Sequence, residues 1–260
     1  MGIKLTLLNC GLLDADSSVI HPGDDSHRRV LLPIPALLIQ SEGRSILIDT
    51  GNPLVAAGNP QGLEQEYGTD PAWIRPMVAA DQRIDEQLRL LGLRIEDLDL
   101  VINTHLHFDH AGGNAVFAAR QSIAVQTAEL QEVRTNTESY MPVWDAPGLQ
   151  FQAVEGDWSP MSGVEMLLTS GHTPGHQSLL VRLAERPWLF TVDAVYTEEH
   201  WREDKLGAVA NVASARASLQ RLRQIATDEN ARLVFGHDLA QWESFGMSPD
   251  KGPTVLVEDT

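Results

Sequence analysis

Cysteine is nearly absent from this chain. Cys10 is the only one in 260 residues, so no internal disulfide can form and any metal site must draw on histidine and carboxylate donors. Long hydrophobic runs are missing too. Runs such as 37–39 and 100–102 are strand-sized, far short of the ~20 apolar residues of a membrane span. Cations are scarce, 19 Lys and Arg against 36 Asp and Glu, for a formal net charge of -17. A phosphate-backbone binder gains affinity by neutralising phosphates, so neither nucleic acid nor a membrane is an expected partner. A field of this sign also disfavours anionic substrates on approach and favours a neutral one, although solubility alone accounts for the charge equally well. The opening stretch from Met1 runs through Lys4 to Asp14 and Asp16 without a small-residue cleavage site. It reads as a first strand rather than a signal peptide. Met1-Gly2 with Thr6 fits a myristoylation pattern only loosely, with nothing basic behind it to add a second anchor. The expected location is cytoplasmic.

No low-complexity tract, linker or short repeat interrupts the chain, and residues 1–260 read as a single domain. Residues 35–40 and 45–49 form two strands about a turn at Glu42-Gly43. Asp81 can cap a helix with Ile84, Leu88 and Leu91 on one face, and Gly92 can end it. Residues 98–103 read as a buried strand, and 122–126 as another. Further strands are expected at 164–169, 178–182, 188–192 and 233–235, with a helical face formed by Val212, Ala215, Leu219, Leu222 and Ala226. Interleaved strands and helices imply an α/β (α+β) fold of sheets covered by helices. The polar residues of interest fall where apolar strands end, the usual place for chemistry in such folds.

The densest cluster is Thr104-His105-Leu106-His107-Phe108-Asp109-His110-Ala111-Gly112-Gly113. Three imidazoles and a carboxylate within six residues, directly after a buried strand, exceed what packing or solubility requires. Imidazole nitrogen and carboxylate oxygen suit zinc and similar divalent ions. His105 and His107 can face one ion from an extended loop while Asp109 and His110 turn to a second, and the glycines permit a tight turn. Four ligands cannot fill two coordination shells, so more are required downstream. Gly171-His172-Thr173-Pro174-Gly175-His176, Thr191-Val192-Asp193 and Phe235-Gly236-His237-Asp238 each offer a His or Asp at a strand exit. Taken singly, an Asp there is more often a cap and a His more often a satisfied hydrogen-bonding group. Together they complete two sets: His105, His107 and His172 on one ion, Asp109, His110 and His237 on the other, with Asp193 between them.

This pattern resembles the metallo-β-lactamase superfamily, and Ile46-Leu47-Ile48-Asp49-Thr50-Gly51 is similar to that superfamily's strand-Asp-Thr-Gly segment. The resemblance implies an αββα sandwich, two mixed sheets flanked by helices, with two metal ions at one edge. Asp49 would orient a ligand without being one. Within the superfamily the chain is most similar to the N-acyl-homoserine lactonases. The carrying stretches are Leu13 to Val19 followed by Leu32-Pro33, Phe108 inside the metal motif, and Asp193-Ala194-Val195-Tyr196-Thr197, where Tyr196 follows the bridging Asp by three. Glyoxalase II-type thioesterases differ after the Gly-His-Thr-Pro-Gly-His segment, and zinc β-lactamases lack the equivalent of His110 or use a cysteine, whereas Cys10 is far from every motif in sequence. Nuclease members carry extra domains or basic surfaces. Flavin-linked members need a cofactor domain for which 260 residues leave no room.

What the resemblance implies is a quorum-quenching lactonase in which two divalent ions, zinc first and cobalt, manganese or iron as substitutes, share a water and acidify it. The resulting hydroxide would attack the lactone carbonyl, Tyr196 would stabilise the oxyanion, and Asp109 would carry the proton to the departing alkoxide. Phe108 and Tyr196 would touch the substrate. His176 is expected to hydrogen-bond around the ligands, and His21, His27 and His200 to lie on the surface. Residues 198–209, polar around Trp201, read either as a flap or as an exposed connection. Another lactone, such as a pyridoxine-derived one, or a thioester is the alternative substrate, and a non-turnover metal sensor is the alternative class. Related lactonases are often dimers, so the resemblance also allows a homodimer, and the residues alone do not give the oligomeric state.

Overall fold

The computed structural model describes residues 2–137, 139–248 and 250–259. The first half of the chain contributes β1 (Lys4–Asp16), β2 (Arg29–Ser41), β3 (Arg44–Ile48), β4 (Ile74–Met77), β5 (Leu100–Ile102), β6 (Ser122–Gln126) and β7 (Gln150–Val154). The second contributes β8 (Trp158–Met161), β9 (Val164–Leu168), β10 (Gln177–Val181), β11 (Trp188–Val192), β12 (Arg232–Phe235) and β13 (Thr254–Glu258). Among the described residues these form two sheets. One is eight-stranded in the order β13-β1-β2-β3-β5-β6-β7 with β4 also on β1, and the other is five-stranded in the order β12-β11-β10-β9-β8. Both are mixed: β3, β5, β6 and β7 run parallel, as do β11 and β12, and the other pairings are antiparallel.

The central strands are apolar on both faces because both faces are covered. Alternation sorts the side chains. Leu37, Ile39, Ile46, Ile48 and Ile102 point between the sheets and meet Met166, Leu179, Val181 and Phe190. Their neighbours Leu38, Leu47 and Val101 point outward, to Ile84 and Leu88 of helix Ile84–Leu90 and to Leu130 and Val133 of helix Thr127–Thr135. On the far side Leu167, Leu180 and Leu189 are covered by Leu222 of helix Val212–Asp228. Helix, sheet, sheet and helix are therefore stacked as the metallo-β-lactamase αββα sandwich.

Some local expectations shift. Ala80–Gln82 is a 3-10 turn, so Arg83 rather than Asp81 precedes the first turn of helix Ile84–Leu90, and Gly92 lies just beyond that helix at φ +75°. Strands β4, β7, β8 and β13 carry no clear sequence signal. All four are short segments containing exposed residues, and their pairing supplies the order that their periodicity lacks.

Candidate metal centre

Parallel register brings the ends of β3 and β5 side by side, with Ile48 opposite Ile102, so Asp49 and the loop beginning at Asn103 emerge at one sheet edge. In the second sheet the β9–β10 connection and the exits of β11 and β12 do the same for His172, Asp193 and His237. Two of these exits use unusual backbone. Asp49 has φ +62° and Val192 has φ +50°, and the second is an outlier for a β-branched residue. The ladder shifts register between Phe190 and Val192. The strained turn re-aims the chain just before Asp193.

The structure brings all seven candidate ligands together, and three groups of them have donor atoms within 4.8 Å of one another: His105, His107 and His172; His105, His110 and Asp193; Asp109, His110 and His237. His172 Nε2 is 2.8 Å from His107 Nδ1 and 3.2 Å from His105 Nε2, and His105 Nε2 is 3.1 Å from His107 Nδ1. Asp193 lies between the two sets. Its Oδ2 is 3.3 Å from His172 Nε2 and 3.9 Å from His105 Nε2, whereas its Oδ1 is 3.1 Å from His237 Nε2 and 3.2 Å from His110 Nε2. Asp109 Oδ2 is 3.6 Å and 3.7 Å from the same two imidazoles.

The other ring nitrogens decide what these atoms present. His172 Nδ1 donates to the Ala208 carbonyl at 2.8 Å, His237 Nδ1 to the Pro33 carbonyl at 2.9 Å, and His110 Nδ1 to Asp49 Oδ2 at 2.8 Å. The Thr104 hydroxyl donates to Asp49 Oδ2 at 2.8 Å, which leaves it free to accept from His105 Nδ1 at 3.2 Å. Each outward N–H leaves a lone pair pointing inward. Lone pairs meeting at 3 Å repel unless a cation lies among them. A tetrahedral ion bonded at about 2.0–2.1 Å would set its donors about 3.3 Å apart, which matches these separations. His110 Nε2 and Asp193 Oδ1 are buried and hydrogen-bonded to no described residue, as expected of metal donors.

Charge points the same way. Burial, with the neighbouring imidazoles, holds His105 and His107 well below the usual histidine range. Burial would also lower His110 and His237, but Asp193 and Asp109 outweigh it and raise both. For Asp193 burial is outweighed by His237, His110 and His172, which hold its carboxyl well below the usual range. The carboxylates thus call for positive charge, which divalent ions supply without protonating any ligand. The residues present fit a dinuclear metal site.

The centre floors a cavity of about 790 Å³ lined by His107, Asp109, His172, Asp193 and His237 at one end and mostly by apolar side chains elsewhere, among them Leu13, Val19, Ile20, Leu32, Trp73, Ile74 and Phe108, with Ser18, Glu66, Thr137 and Ser139 as polar members. Phe108, in the short helix Phe108–Ala111, is half-buried on this wall. Tyr196 is buried with its hydroxyl 3.1 Å from His172 Nδ1 and its ring 5.5 Å from that of His237. Burial first, then the Asp193 and Asp109 carboxylates, push its phenol well above the ordinary tyrosine value, so its hydroxyl keeps its hydrogen and can donate a hydrogen bond.

Around the donors, His176 pairs its Nδ1 with Thr169 Oγ1 at 2.9 Å and accepts the Asp193 N–H on Nε2 at 3.0 Å. Burial and neighbouring imidazoles push it down to about 3, keeping that acceptor neutral. Two expectations need correction. His200 is not a surface residue: it is buried, donates from Nε2 to the Ile20 carbonyl at 2.9 Å, and stacks on half-buried His21 at 4.7 Å. Residues 198–209 are neither a free flap nor a bare connection. They contain helix Glu198–Arg202, and the Ala208 carbonyl holds His172. Cys10, far from the motifs in sequence, is close to Gly51 in space, and Asn52 donates to its carbonyl at 2.9 Å. Sequence reasoning missed Glu129 and Tyr140, because neither stands in a motif.

A sequence profile described as the metallo-beta-lactamase superfamily matches residues 29–237. An N-acyl homoserine lactonase of a Bacillus species is 37% identical over 248 residues, covering 95% of this chain and 98% of that protein. The N-acyl homoserine lactonase AttM of Rhizobium radiobacter is 33% identical at the same coverage. Among solved structures, an N-acyl homoserine lactone hydrolase with the product N-hexanoyl-L-homoserine bound at its catalytic metal centre superposes with a TM-score of 0.86 at 33% identity, covering 94% of this chain and 97% of that one.

Proposed function

The chain belongs to the metallo-beta-lactamase superfamily, and on that footing we propose that it is a metal-dependent lactonase that hydrolyses the ester bond of N-acyl homoserine lactones and so quenches a signal. The observation that carries this reading is the junction of two surfaces in one cavity: a floor of inward-facing donors around Asp193 and walls of aliphatic and aromatic side chains. A ligand with a polar ring at one end and an acyl chain at the other matches both surfaces.

In this reading His105, His107 and His172 would hold one ion and Asp109, His110 and His237 the other, with Asp193 placed between the two sets. Zinc suits imidazole and carboxylate donors without thiolate, and cobalt, manganese and iron use the same donors. When bound, the ions supply a water acidified toward neutrality and a Lewis acid for the carbonyl. Tyr196 donates a hydrogen bond from its hydroxyl to the carbonyl oxygen as negative charge develops there. Asp109 faces both the donor cluster and the cavity. Its carboxylate can take a proton and return it to the ring oxygen as the C–O bond breaks. Phe108 walls the cavity beside Asp109 and limits how the ring can sit.

The test is acid release from N-acyl homoserine lactones of several chain lengths, with zinc-loaded and chelator-stripped protein side by side. Zinc-dependent turnover is the expected result. Two zinc ions per chain without turnover would overturn the substrate and redirect the search to other lactones and thioesters.

A further inference from the structure

Two loops supply the three imidazoles of the first donor set, and one buried side chain ties both loops together. Glu129, in the first turn of helix Thr127–Thr135, is fully buried. Its Oε1 accepts the N–H of Leu106, the residue between His105 and His107, at 3.0 Å. Its Oε2 accepts the N–H of Gly175, in the loop that carries His172, also at 3.0 Å. The Tyr140 hydroxyl donates to Oε1 at 3.1 Å, and the Tyr140 ring tilts against His107 with centroids 5.1 Å apart. The contact with the second loop is tight: a Cβ on Gly175 would lie 2.5 Å from the Glu129 Cβ and backbone nitrogen. Gly175 is therefore required for the helix to approach.

An acidic residue in a first helical turn is ordinarily explained by the helix dipole. That explanation suffices for a solvated side chain, not for one that is fully buried and turned away into two loops. A buried carboxylate is tolerated only when its oxygens are paired, and here both are paired by groups adjoining the donors of one ion. Asp49 has the matching place on the other side, through His110 and Thr104.

We propose that Glu129 is a positioning residue for the ion held by His105, His107 and His172. It touches neither ion nor substrate and acts by fixing the two loops so that the imidazole nitrogens converge. Glu129 meets only the two loops that carry this set, whereas Asp49 meets His110 directly and His105 through the Thr104 hydroxyl, so loss of Glu129 falls on the one affinity. The inference rests on the metal reading above.

Glu129→Gln keeps the volume and removes one acceptor. In one orientation the amide NH2 faces the Gly175 N–H, and in the other it faces the Leu106 N–H, so one loop loses its anchor either way. The experiment is a zinc titration of metal-free wild-type and variant protein against a chromogenic chelator, which reads both dissociation constants without turnover. Loss of a group that supports a ligand weakens metal binding about 10–100-fold, and that loss is expected in one constant while the other is unchanged. Both constants unchanged, or both weakened together as in a general loss of packing, would overturn the proposal. Tyr140→Phe removes only a donor to Glu129 and should weaken the same constant by a smaller factor. It decides the matter should Glu129→Gln not fold, and no change there would refute the assignment. Wild-type protein that binds no zinc would refute the metal reading instead.

Discussion

Replacing Asp49 with Asn tests whether a side chain that touches no ion governs one. Asp49 accepts three hydrogen bonds: Oδ1 from the Thr104 N–H at 2.7 Å, and Oδ2 from the Thr104 hydroxyl and from His110 Nδ1, both at 2.8 Å. Asn adopts positive φ as readily as Asp, so the φ of +62° adds nothing to the cost. The amide has one oxygen for donors on two sides. If that oxygen faces His110, the NH2 opposes the Thr104 N–H. If it faces Thr104 N–H, the NH2 opposes His110 Nδ1 and favours the tautomer with its hydrogen on Nε2, where the lone pair for a metal is needed. Leaving one buried donor unpaired costs about 1–3 kcal/mol. At roughly 2–4 °C per kcal/mol for a chain of this size, the metal-free protein should melt about 4–8 °C lower for a central cost of about 2 kcal/mol. The affinity for the ion on His110 should fall about 10–100-fold. Thermal melts of the stripped protein and zinc titration read the two effects independently. An Asn variant that melts with wild type and binds two ions at wild-type affinity would falsify the argument that Asp49 sets the His110 tautomer.

Tyr196→Phe should lower kcat about 10²–10³-fold, the usual cost of losing one oxyanion donor, with zinc content unchanged; an unaltered kcat in steady-state assays would remove Tyr196 from the chemistry. Gly207→Ala should mimic it, because the added methyl would lie 1.9 Å from Tyr196 Cε2 and displace the ring, and wild-type kcat from that variant would contradict the packing described. Cys10 is pushed up to about 12 from 9.0, by burial first and then by Asp49. A folded pKa above the unfolded one stabilises the fold fully below pH 9 and loses that contribution as pH rises toward 12. At pH 10 the native thiol should resist a disulfide reagent that labels urea-unfolded protein at once, and equal labelling rates would show that Cys10 is accessible.

Much of the site was legible because its chemistry is concentrated. His105, His107, Asp109 and His110 fall within six residues after an apolar strand, a density that packing does not require. His172, Asp193 and His237 each stand at a strand exit, where polar residues of those types need a reason. The layered fold followed from strands apolar on both faces alternating with amphipathic helices, since such strands must be covered twice. Strands β4, β7, β8 and β13 were not legible, because their residues answer to neighbours distant in sequence and carry little periodicity of their own. His200 was read as exposed for the same reason: its burial depends on the Ile20 carbonyl, 180 residues away.

What the sequence alone determined is which atoms are available as donors and that they lie at strand ends. Only the tertiary structure decided which lone pair each imidazole turns inward, because each tautomer is set by a partner from another segment: Asp49 for His110, Pro33 for His237, Ala208 for His172. Glu129 is the extreme case. Its helix, Thr-Ala-Glu-Leu-Gln-Glu-Val-Arg-Thr, places an acid where any surface helix would. Burial against two loops, which local sequence does not encode, turns that acid into the anchor of both.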